Sequence, residues 1–384
     1  MSAFDFDQLI DRSHTSSEKW LRYAGTQTLP MWVADTDFLA PPCVVEALHQ
    51  RVAHGIFGYT DTPTSLNQVF IERMMRMYNW NLSAEQLLWL PGLVSGLNLA
   101  VRASCSPEGQ VLTAEPIYPP FKSAPQLSQR SVIGVPMKDS AGHQIIDFAA
   151  LEASITSNTE LLLFCNPHNP GGGVYRREEL EQLADIVIRH KLTICSDEIH
   201  CDLILEPGLQ HIPIASLGSE ISSRTITLMA PSKTWNIAGL GCSVAVIENP
   251  KLRAAFARAR KGIVPGVNLL GFTAAEAAYR DGDQWNSQQL DYLRKNRDYL
   301  LEHINAIPGL RMEKNEATYL AWIDASELNL PSPQQFFEAA GVGLSDGADF
   351  GDPQFVRLNF GCPLSRVEEA VQRMRRAVEQ HTAA

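Results

Sequence analysis

The sequence predicts an α/β fold in which helices cover a largely parallel β-sheet and a second, smaller domain follows. Short apolar runs of the length of buried strands recur along the chain, and each ends in turn residues. Segments with helical periodicity separate the runs, which is typical of a sheet with parallel strands. After a helical pattern at residues 284–304, two strand-like pieces at 318–323 and 355–360 indicate the smaller domain.

Seven apolar runs form the predicted large sheet. In chain order they are residues 87–90, 111–114, 132–135, 161–165, 192–195, 225–229 and 242–247. The clearest intervening helix lies at residues 177–191, where apolar side chains recur at spacings of three and four. The predicted domain bounds are residues 48–285 for the large domain, and residues 1–47 together with 286–384 for the small domain.

Composition excludes several classes of protein. The 384 residues carry 32 Lys and Arg against 43 Asp and Glu, and the resulting net charge of −11 argues against a nucleic-acid-binding protein. The seven cysteines are scattered and form no C-x-x-C pair, which is typical of reduced thiols. The opening residues do not resemble a secretory signal, and no run of about 18 uncharged apolar residues occurs. We therefore expect a cytoplasmic protein that does not enter a membrane.

A lysine follows the predicted strand at 225–229. Lys233 lies in the segment APSKTWNIAGLG, among small and polar residues. Ligands of open α/β sheets bind beyond the carboxyl ends of the strands, so we expect Lys233 in the ligand crevice. Desolvation there lowers the pKa of an amine and makes it a nucleophile that can form a Schiff base. The alternatives are a solvated loop lysine and a simple phosphate contact.

An acidic segment, SDEIHCDL, follows the run at 192–195. Asp197 falls at the tip of this strand, where a buried carboxylate requires a cation. The protonated ring nitrogen of pyridoxal phosphate is one such cation. A metal site formed by Asp197, His200 and Asp202 is the competing interpretation, but their spacing lacks the helical register of zinc motifs, and we expect no metal.

Three further loops follow predicted strands. In NPHNPGGG, two prolines fix a backbone that can aim Asn166 and Asn169 inward. Gly92 precedes a helix predicted to begin near Ser95, and amides at a helix amino end bind phosphate. Tyr118, in EPIYPPF, can stack on a flat ring. Ordinary turn chemistry and an ordinary buried tyrosine explain the same residues without a function.

An arginine interrupts an apolar run near the end of the chain. Arg357 lies in FVRLNFGCP between Val356 and Leu358, where its charge requires a partner. A substrate carboxylate would be such a partner, and so would a structural ion pair. Taken together, a lysine, an acid, an asparagine, a phosphate loop and a tyrosine at strand ends indicate one pyridoxal phosphate site.

The segments quoted above resemble the class I/II aminotransferase superfamily of fold-type-I pyridoxal-phosphate enzymes. Within it they are most similar to the MalY/PatB-type cystathionine β-lyases, also called carbon–sulfur lyases. The lysine segment and NPHNPGG mark the superfamily. The openings FDFDQLIDRSHTSSEKW and PMWVADTDF, together with SDEIH and NFGCP, favour the lyase group. The resemblance covers nearly the whole chain.

The resemblance implies a role for each candidate near the cofactor. Lys233 would carry pyridoxal phosphate as a Schiff base, Asp197 would pair with the ring nitrogen, and Tyr118 would stack on the ring. These three are the predicted catalytic residues. Asn169 would bond the phenolic oxygen, and His200, where transaminases commonly have tyrosine, would also contact the cofactor.

The resemblance also implies a phosphate site and a substrate site. The phosphate would be held by the backbone of Gly92, Leu93 and Val94. Ser232 would assist, and Tyr59 would reach in from a second subunit. Arg357 would bind the substrate carboxylate, with Ala34 and Asn169 lining the substrate site. The chain departs from many aminotransferases at two phosphate-binding positions, since Gly241 replaces an arginine and Ala230 replaces a serine.

We therefore expect a homodimeric pyridoxal-phosphate-dependent carbon–sulfur β-lyase acting on a small amino-acid substrate. It would cleave L-cystathionine or a related cysteine S-conjugate to a thiol such as homocysteine, pyruvate and ammonia. A class I/II aminotransferase that uses the same lysine is the alternative. A cofactor-binding regulatory module is a third possibility, which the net charge of −11 and the lack of a helix-turn-helix region disfavour.

Overall fold

Strands and helices alternate along the chain in a computed structural model, which describes residues 4–382. The strands are β1 Leu29–Pro30, β2 Leu87–Leu90, β3 Gln110–Glu115, β4 Ser131–Ser140, β5 His143–Ile146, β6 Thr159–Cys165, β7 Thr193–Asp197, β8 Thr225–Met229, β9 Ser243–Val246, β10 Arg311–Met312, β11 Leu320–Asp324, β12 Val342–Gly343, β13 Ser345–Asp346 and β14 Phe355–Asn359. The helices are α1 Glu18–Leu21, α2 Pro42–Ala53, α3 Thr64–Tyr78, α4 Leu93–Ser104, α5 Pro120–Leu127, α6 Phe148–Ser154, α7 Arg177–Arg189, α8 Ser219–Ser222, α9 Pro250–Arg260, α10 Leu269–Asp281, α11 Asp283–Asn305, α12 Pro333–Ala339 and α13 Leu364–Thr382. Within residues 4–382, no helix combines the length and the apolar character that crossing a membrane requires.

Eight strands form the large sheet, in the order β2-β9-β8-β7-β6-β3-β4-β5. The pairs β8–β7, β7–β6, β6–β3 and β3–β4 are parallel, whereas β9 and β5 run antiparallel to their neighbours. The predicted α/β class is confirmed, and the sheet has one strand more than the seven predicted. The extra strand, β5, is short and contains His143 and Gln144, so it gives no apolar run; a tight turn at residues 141–142 pairs it with β4.

The central strands of the large sheet are buried because helices cover them, whereas most of β4 is exposed or only partly buried. Every residue of β8 and β9 is buried, as the continuous apolar runs predict. Helix α7 buries the face that carries Leu180, Leu183 and Val187, as its periodicity predicts. Helix α4 begins at Leu93 and not near Ser95, because the extended backbone of Gly92 already caps it.

The carboxyl-terminal part of the chain forms a second sheet of four antiparallel strands, in the order β10-β11-β14-β13. Its two central strands, β11 and β14, are the strand-like pieces that the sequence predicts. A separate parallel pair joins β1 to β12, with Leu29 opposite Val342, so the amino-terminal segment lies beside this second sheet. The domain bounds 48–285, 1–47 and 286–384 stay a prediction.

Candidate active site

A cavity of about 590 Å³ lies at the carboxyl ends of the parallel strands of the large sheet. Residues that follow β2, β3, β6, β7 and β8 line it, and the amino-terminal segment and the second sheet close it. The structure brings ten of the twelve predicted site residues to its wall. They are Ala34, Leu93, Val94, Tyr118, Asn169, Asp197, His200, Ser232, Lys233 and Arg357.

Lys233 is partly buried, and its amine is held by backbone. The Nζ of Lys233 donates a hydrogen bond to the carbonyl oxygen of Ala34 at 2.7 Å, and the hydroxyl of Tyr319 donates to the same oxygen at 3.2 Å. Burial lowers the pKa of Lys233 to about 8, with a further lowering by the positive charge of Arg357. A substantial fraction of this amine is therefore neutral and nucleophilic near neutral pH.

The backbone around Ala34 is fixed by two asparagines that sequence reasoning missed. Asn359 donates its amide hydrogens to the carbonyl oxygens on either side of Ala34, at 2.6 Å each. Asn236 donates to the carbonyl oxygens of Thr36 and Phe38 at 3.0 and 2.8 Å. Asn236 has a positive φ of 54°, and it lies three residues after the lysine. The acceptor of the lysine amine is thus rigidly placed from both sides.

Asp197 ends β7 and is 5% exposed. Its Oδ1 accepts a hydrogen bond from the backbone N–H of Ile199 at 3.1 Å. Burial raises the pKa of Asp197 to about 7, and the nearby negative charge of Glu198 raises it further, against the opposing charge of Lys233. A cation bound in the cavity next to this carboxyl would stabilise its ionised form and lower the pKa again.

Arg357 is 4% exposed and lacks an ionic partner within residues 4–382. Its guanidinium donates to Asn169 Oδ1 at 3.0 Å, to the carbonyl oxygen of Trp32 at 3.0 Å and to Ser345 Oγ at 3.2 Å. The Nε of Arg357 has no hydrogen-bond partner among the described residues. Burial lowers the pKa of Arg357 to about 10. A buried cation with an unused donor is suited to bind an anion that enters the cavity.

The residues of the competing metal site are not gathered. Strand β7 ends at Asp197, and His200 turns into the cavity, where burial lowers its pKa to about 3 and keeps its imidazole neutral. The Nδ1 of His200 has no partner within the described part of the chain. Asp202 instead forms a buried ion pair with Arg73 at 2.7 Å. No group of three or more metal-ligating side chains occurs among residues 4–382.

The amino end of α4 forms the other wall of the cavity. Leu93 and Val94, its first two residues, line the cavity, and amides of a first helical turn have no partner within the helix. Gly92 caps this helix without itself being a lining residue. Gly241 has a φ of +59°, and a Cβ there would lie 2.9 Å from the carbonyl oxygen of Pro91. The backbone therefore disfavours at this position the arginine of other aminotransferases.

Of the tyrosine and asparagine candidates, Tyr118 and Asn169 line the cavity, whereas Tyr59 and Asn166 do not. Tyr118 lines the cavity, and burial raises the pKa of its hydroxyl. Tyr59 is fully exposed and does not line the cavity of its own chain, so its role toward a second subunit stays a prediction. Asn166 was predicted to face inward with Asn169, but its Oδ1 accepts from the backbone N–H of Tyr175 at 3.2 Å and it does not line the cavity.

Sequence reasoning also missed a set of residues at the outer part of the cavity. They are Glu18, Arg22, Trp32, Gln334, Asp346, Asp349 and Phe350. Among the amino-terminal residues, Glu18 begins the short helix α1, Arg22 follows that helix and Trp32 follows β1. Of the others, Gln334 lies in α12, Asp346 ends β13, and Asp349 and Phe350 lie in the segment after β13. No sequence signal links these segments, since only long-range packing brings them together.

Comparisons with known proteins show the family of the chain. The family model described as aminotransferase class I and II matches residues 30–374. Cystathionine beta-lyase PatB of Bacillus subtilis (strain 168) is 36% identical, over 97% of this chain and 100% of its own. A crystal structure of OvoB has a TM-score of 0.96 and 53% identity, covering 98% of this chain and 99% of its own. The PLP-bound C–S lyase from Staphylococcus hominis has a TM-score of 0.91 and 32% identity, with 98% coverage of both chains. The chain belongs to the class I and II aminotransferase family, and within it groups with the cystathionine β-lyases of the PatB and MalY type.

Proposed function

We propose that the protein is a pyridoxal-phosphate-dependent carbon–sulfur β-lyase. It converts L-cystathionine or a related cysteine S-conjugate, with one water, to a thiol, pyruvate and ammonia. One observation carries the proposal: a nucleophilic lysine, a buried carboxyl and a buried guanidinium without an ionic partner, Lys233, Asp197 and Arg357, all line one cavity. Relatives named cystathionine beta-lyase and C–S lyase support the choice of reaction.

The residues present fit pyridoxal phosphate. Asp197, whose pKa is raised by burial, fits the protonated ring nitrogen. The amino end of α4 fits the phosphate, and Tyr118 fits the face of the ring. The unpartnered Nδ1 of His200 offers a further polar contact. When bound, the cofactor supplies an electron sink for the charge that develops on the substrate Cα.

The side chains then divide the work between binding and proton transfer. Arg357 binds the substrate carboxylate, and Asn169, already bonded to Arg357, orients it. The amine of Lys233 would take the proton from the substrate Cα, a role that its lowered pKa favours. The Cβ–S bond breaks and the thiolate leaves, and the remaining fragment is hydrolysed to pyruvate and ammonia. Asp197 would pair with the ring nitrogen of the cofactor and keep it protonated.

The assembly and the location belong to the same proposal. We place Tyr59 at the phosphate side of a second subunit in a homodimer, because this side chain and the neighbouring Ile56 and Phe57 are exposed in the single chain. All seven cysteines are free thiols, the state that a reducing cytoplasm maintains.

The reaction is tested by supplying the holoenzyme with L-cystathionine and no keto acid. We expect homocysteine and pyruvate in equal amounts over many turnovers. An aminotransferase would stop after a single turnover until a keto acid is added, and that result would overturn the proposal. In the variant Lys233→Ala, both product formation and the absorbance of the covalently bound cofactor should disappear together. Continued β-elimination by that variant would contradict the assignment of Lys233.

A further inference from the structure

The outer wall of the active-site cavity carries charges that the proposed reaction does not use. We define this outer wall as Glu18, Arg22, Trp32 and Asp349, all of which line the cavity. Its three charged members are exposed, whereas at the inner end Lys233 is partly buried and Arg357 is buried. The outer wall therefore lies where the cavity opens to solvent.

The outer wall is held in place from behind. Lys19, the residue after Glu18, is only 1% exposed, and its Nζ forms a buried ion pair with Asp37 at 3.0 Å. The indole N–H of Trp20 donates to the same carboxylate at 3.1 Å. These contacts fix α1 to the backbone segment that also carries Ala34, so Glu18 cannot swing away with a loose terminus.

Arg22 is held against the cavity by an aromatic ring. Its guanidinium lies 4.7 Å from the centre of the Trp32 ring, a cation–π distance. The indole N–H of Trp32 donates to the carbonyl oxygen of Lys19 at 3.1 Å, which ties the ring to α1. The outer wall is thus a built surface in which one positive charge has a fixed position.

The charges of the outer wall lack ionic partners. Within residues 4–382, neither Glu18, Arg22 nor Asp349 forms an ion pair, although many other surface charges do. With Asp346, which also lines the outer part of the cavity and accepts a hydrogen bond from the backbone N–H of Ala348, three negative charges and one positive charge lie near the opening. At the inner end, the buried Arg357 with its unpartnered Nε marks the place of an anion. The cavity is thus cationic inside and net acidic at its opening.

A substrate bound as proposed above, through its carboxylate and Cα, extends toward the outer wall. Its carboxylate lies at Arg357 and its Cα lies near Lys233, so the sulfur substituent on Cβ has only the direction of the opening left. We propose that Glu18 and Asp349 are specificity-determining residues that select conjugates whose leaving thiol carries an ammonium group. Arg22 accommodates a carboxylate on the same fragment. This inference rests on the proposed lyase function.

The test compares two synthetic substrates that differ in one group. S-(3-Aminopropyl)-L-cysteine and S-butyl-L-cysteine have side chains of equal length, and the first has an ammonium group where the second has a methyl group. The kcat/KM of the holoenzyme for each is measured by pyruvate release at low salt. We expect the ratio of the amino to the butyl substrate to fall about fivefold in the double variant Glu18→Gln, Asp349→Asn, as loss of partly exposed ion pairs predicts.

The matched control is an exposed acid far from the cavity. Glu108 lies in the turn before β3, at the amino ends of the strands and so on the side of the sheet away from the cavity. The variant Glu108→Gln should leave the ratio at the wild-type value. Salt should lower the wild-type ratio, because it screens exposed charges. An unchanged ratio in the double variant would overturn this inference alone. Absence of pyruvate from both substrates with the wild-type enzyme would overturn the lyase function on which it rests.

Discussion

The amine of Lys233 and the hydroxyl of Tyr319 donate hydrogen bonds to the same carbonyl oxygen, that of Ala34, at 2.7 and 3.2 Å. The lysine therefore rests on an acceptor that it shares with a buried neighbour. Because this acceptor is backbone and uncharged, it holds the amine without fixing a proton on it as a carboxylate would. The lysine is positioned and still able to react.

The pH dependence of cofactor binding follows from the pKa of Lys233. Only the neutral amine attacks an aldehyde, and burial lowers the pKa of this amine to about 8. We expect the rate at which apoprotein takes up pyridoxal phosphate to rise with pH, with a midpoint near pH 8. The rate is measured by rapid mixing and absorbance. A midpoint near the ordinary lysine value of 10.5 would contradict the structure.

The variant Tyr319→Phe tests whether the shared acceptor sets the pH midpoint of cofactor uptake. Without the hydroxyl, the oxygen of Ala34 accepts only from Lys233 and so stabilises the ammonium form better. The midpoint should move up by about half a pH unit, as expected for one competing neutral hydrogen bond. If Tyr319 only supports the fold, Tyr319→Phe would lower the free energy of unfolding and leave the pH midpoint unchanged.

The buried carboxyl of Asp197 should destabilise the apoprotein at high pH. Its pKa is about 7 in the folded chain, above the value of 3.8 for an ordinary aspartate, so the folded state binds more protons between these values. Its contribution to stability is complete below pH 3.8 and is lost as the pH rises through 7.

The variant Asp197→Asn tests this contribution. The substitution changes the free energy of unfolding of the apoprotein, and we expect this change to be more stabilising at pH 8 than at low pH. The difference should be up to about 4 kcal/mol. Urea unfolding at pH 4 and pH 8 measures the difference. Turnover of the reconstituted variant should collapse, because the ring nitrogen loses its partner. An equal effect on stability at both pH values would argue against a buried, unpaired carboxyl.

Arg357 should be irreplaceable by lysine. A lysine amine cannot donate at once to Asn169, Trp32 and Ser345 and to a substrate carboxylate. We expect Arg357→Lys to lower kcat/KM for cystathionine by about two orders of magnitude, mostly through KM. The exposed Arg311→Lys serves as the control. A loss confined to kcat would place Arg357 outside substrate binding.

The backbone at Gly241 should not tolerate a side chain. Alanine there adopts a positive φ at a cost of about 1–2 kcal/mol and also approaches the oxygen of Pro91. Gly208 has a positive φ of +81°, and a Cβ at that position would have no atom within 4 Å, so Gly208→Ala carries only the backbone cost. The free energy of unfolding should therefore fall further for Gly241→Ala. Equal losses in the free energy of unfolding of the two variants would show that the approach to the Pro91 oxygen has no cost.

Much of the inner site could be predicted because each residue follows an apolar run. Asp197 and Lys233 come after β7 and β8, and parallel strands bring their carboxyl ends to one edge. Strand β5 was missed because pairing with β4, and not apolar character, makes it a strand.

The outer part of the site could not be predicted from the sequence. Glu18 and Arg22 reach the cavity only because β1 pairs with β12 and Lys19 pairs with Asp37. Asn359 acts through backbone carbonyl oxygens, which leave no trace in a sequence. Contacts between distant segments, rather than local patterns, decide this half of the site.

The parallel pair β1–β12 also sets an order of events during synthesis. Leu29 leaves the ribosome early but has no strand to pair with until Val342 has been made. The amino-terminal segment must therefore wait for nearly the whole polypeptide, while the large sheet can already assemble behind it. A nascent chain interrupted before Val342 would contain Lys233 and Asp197. It would lack the pairing of β1 with β12, which holds the amino-terminal segment over the cavity.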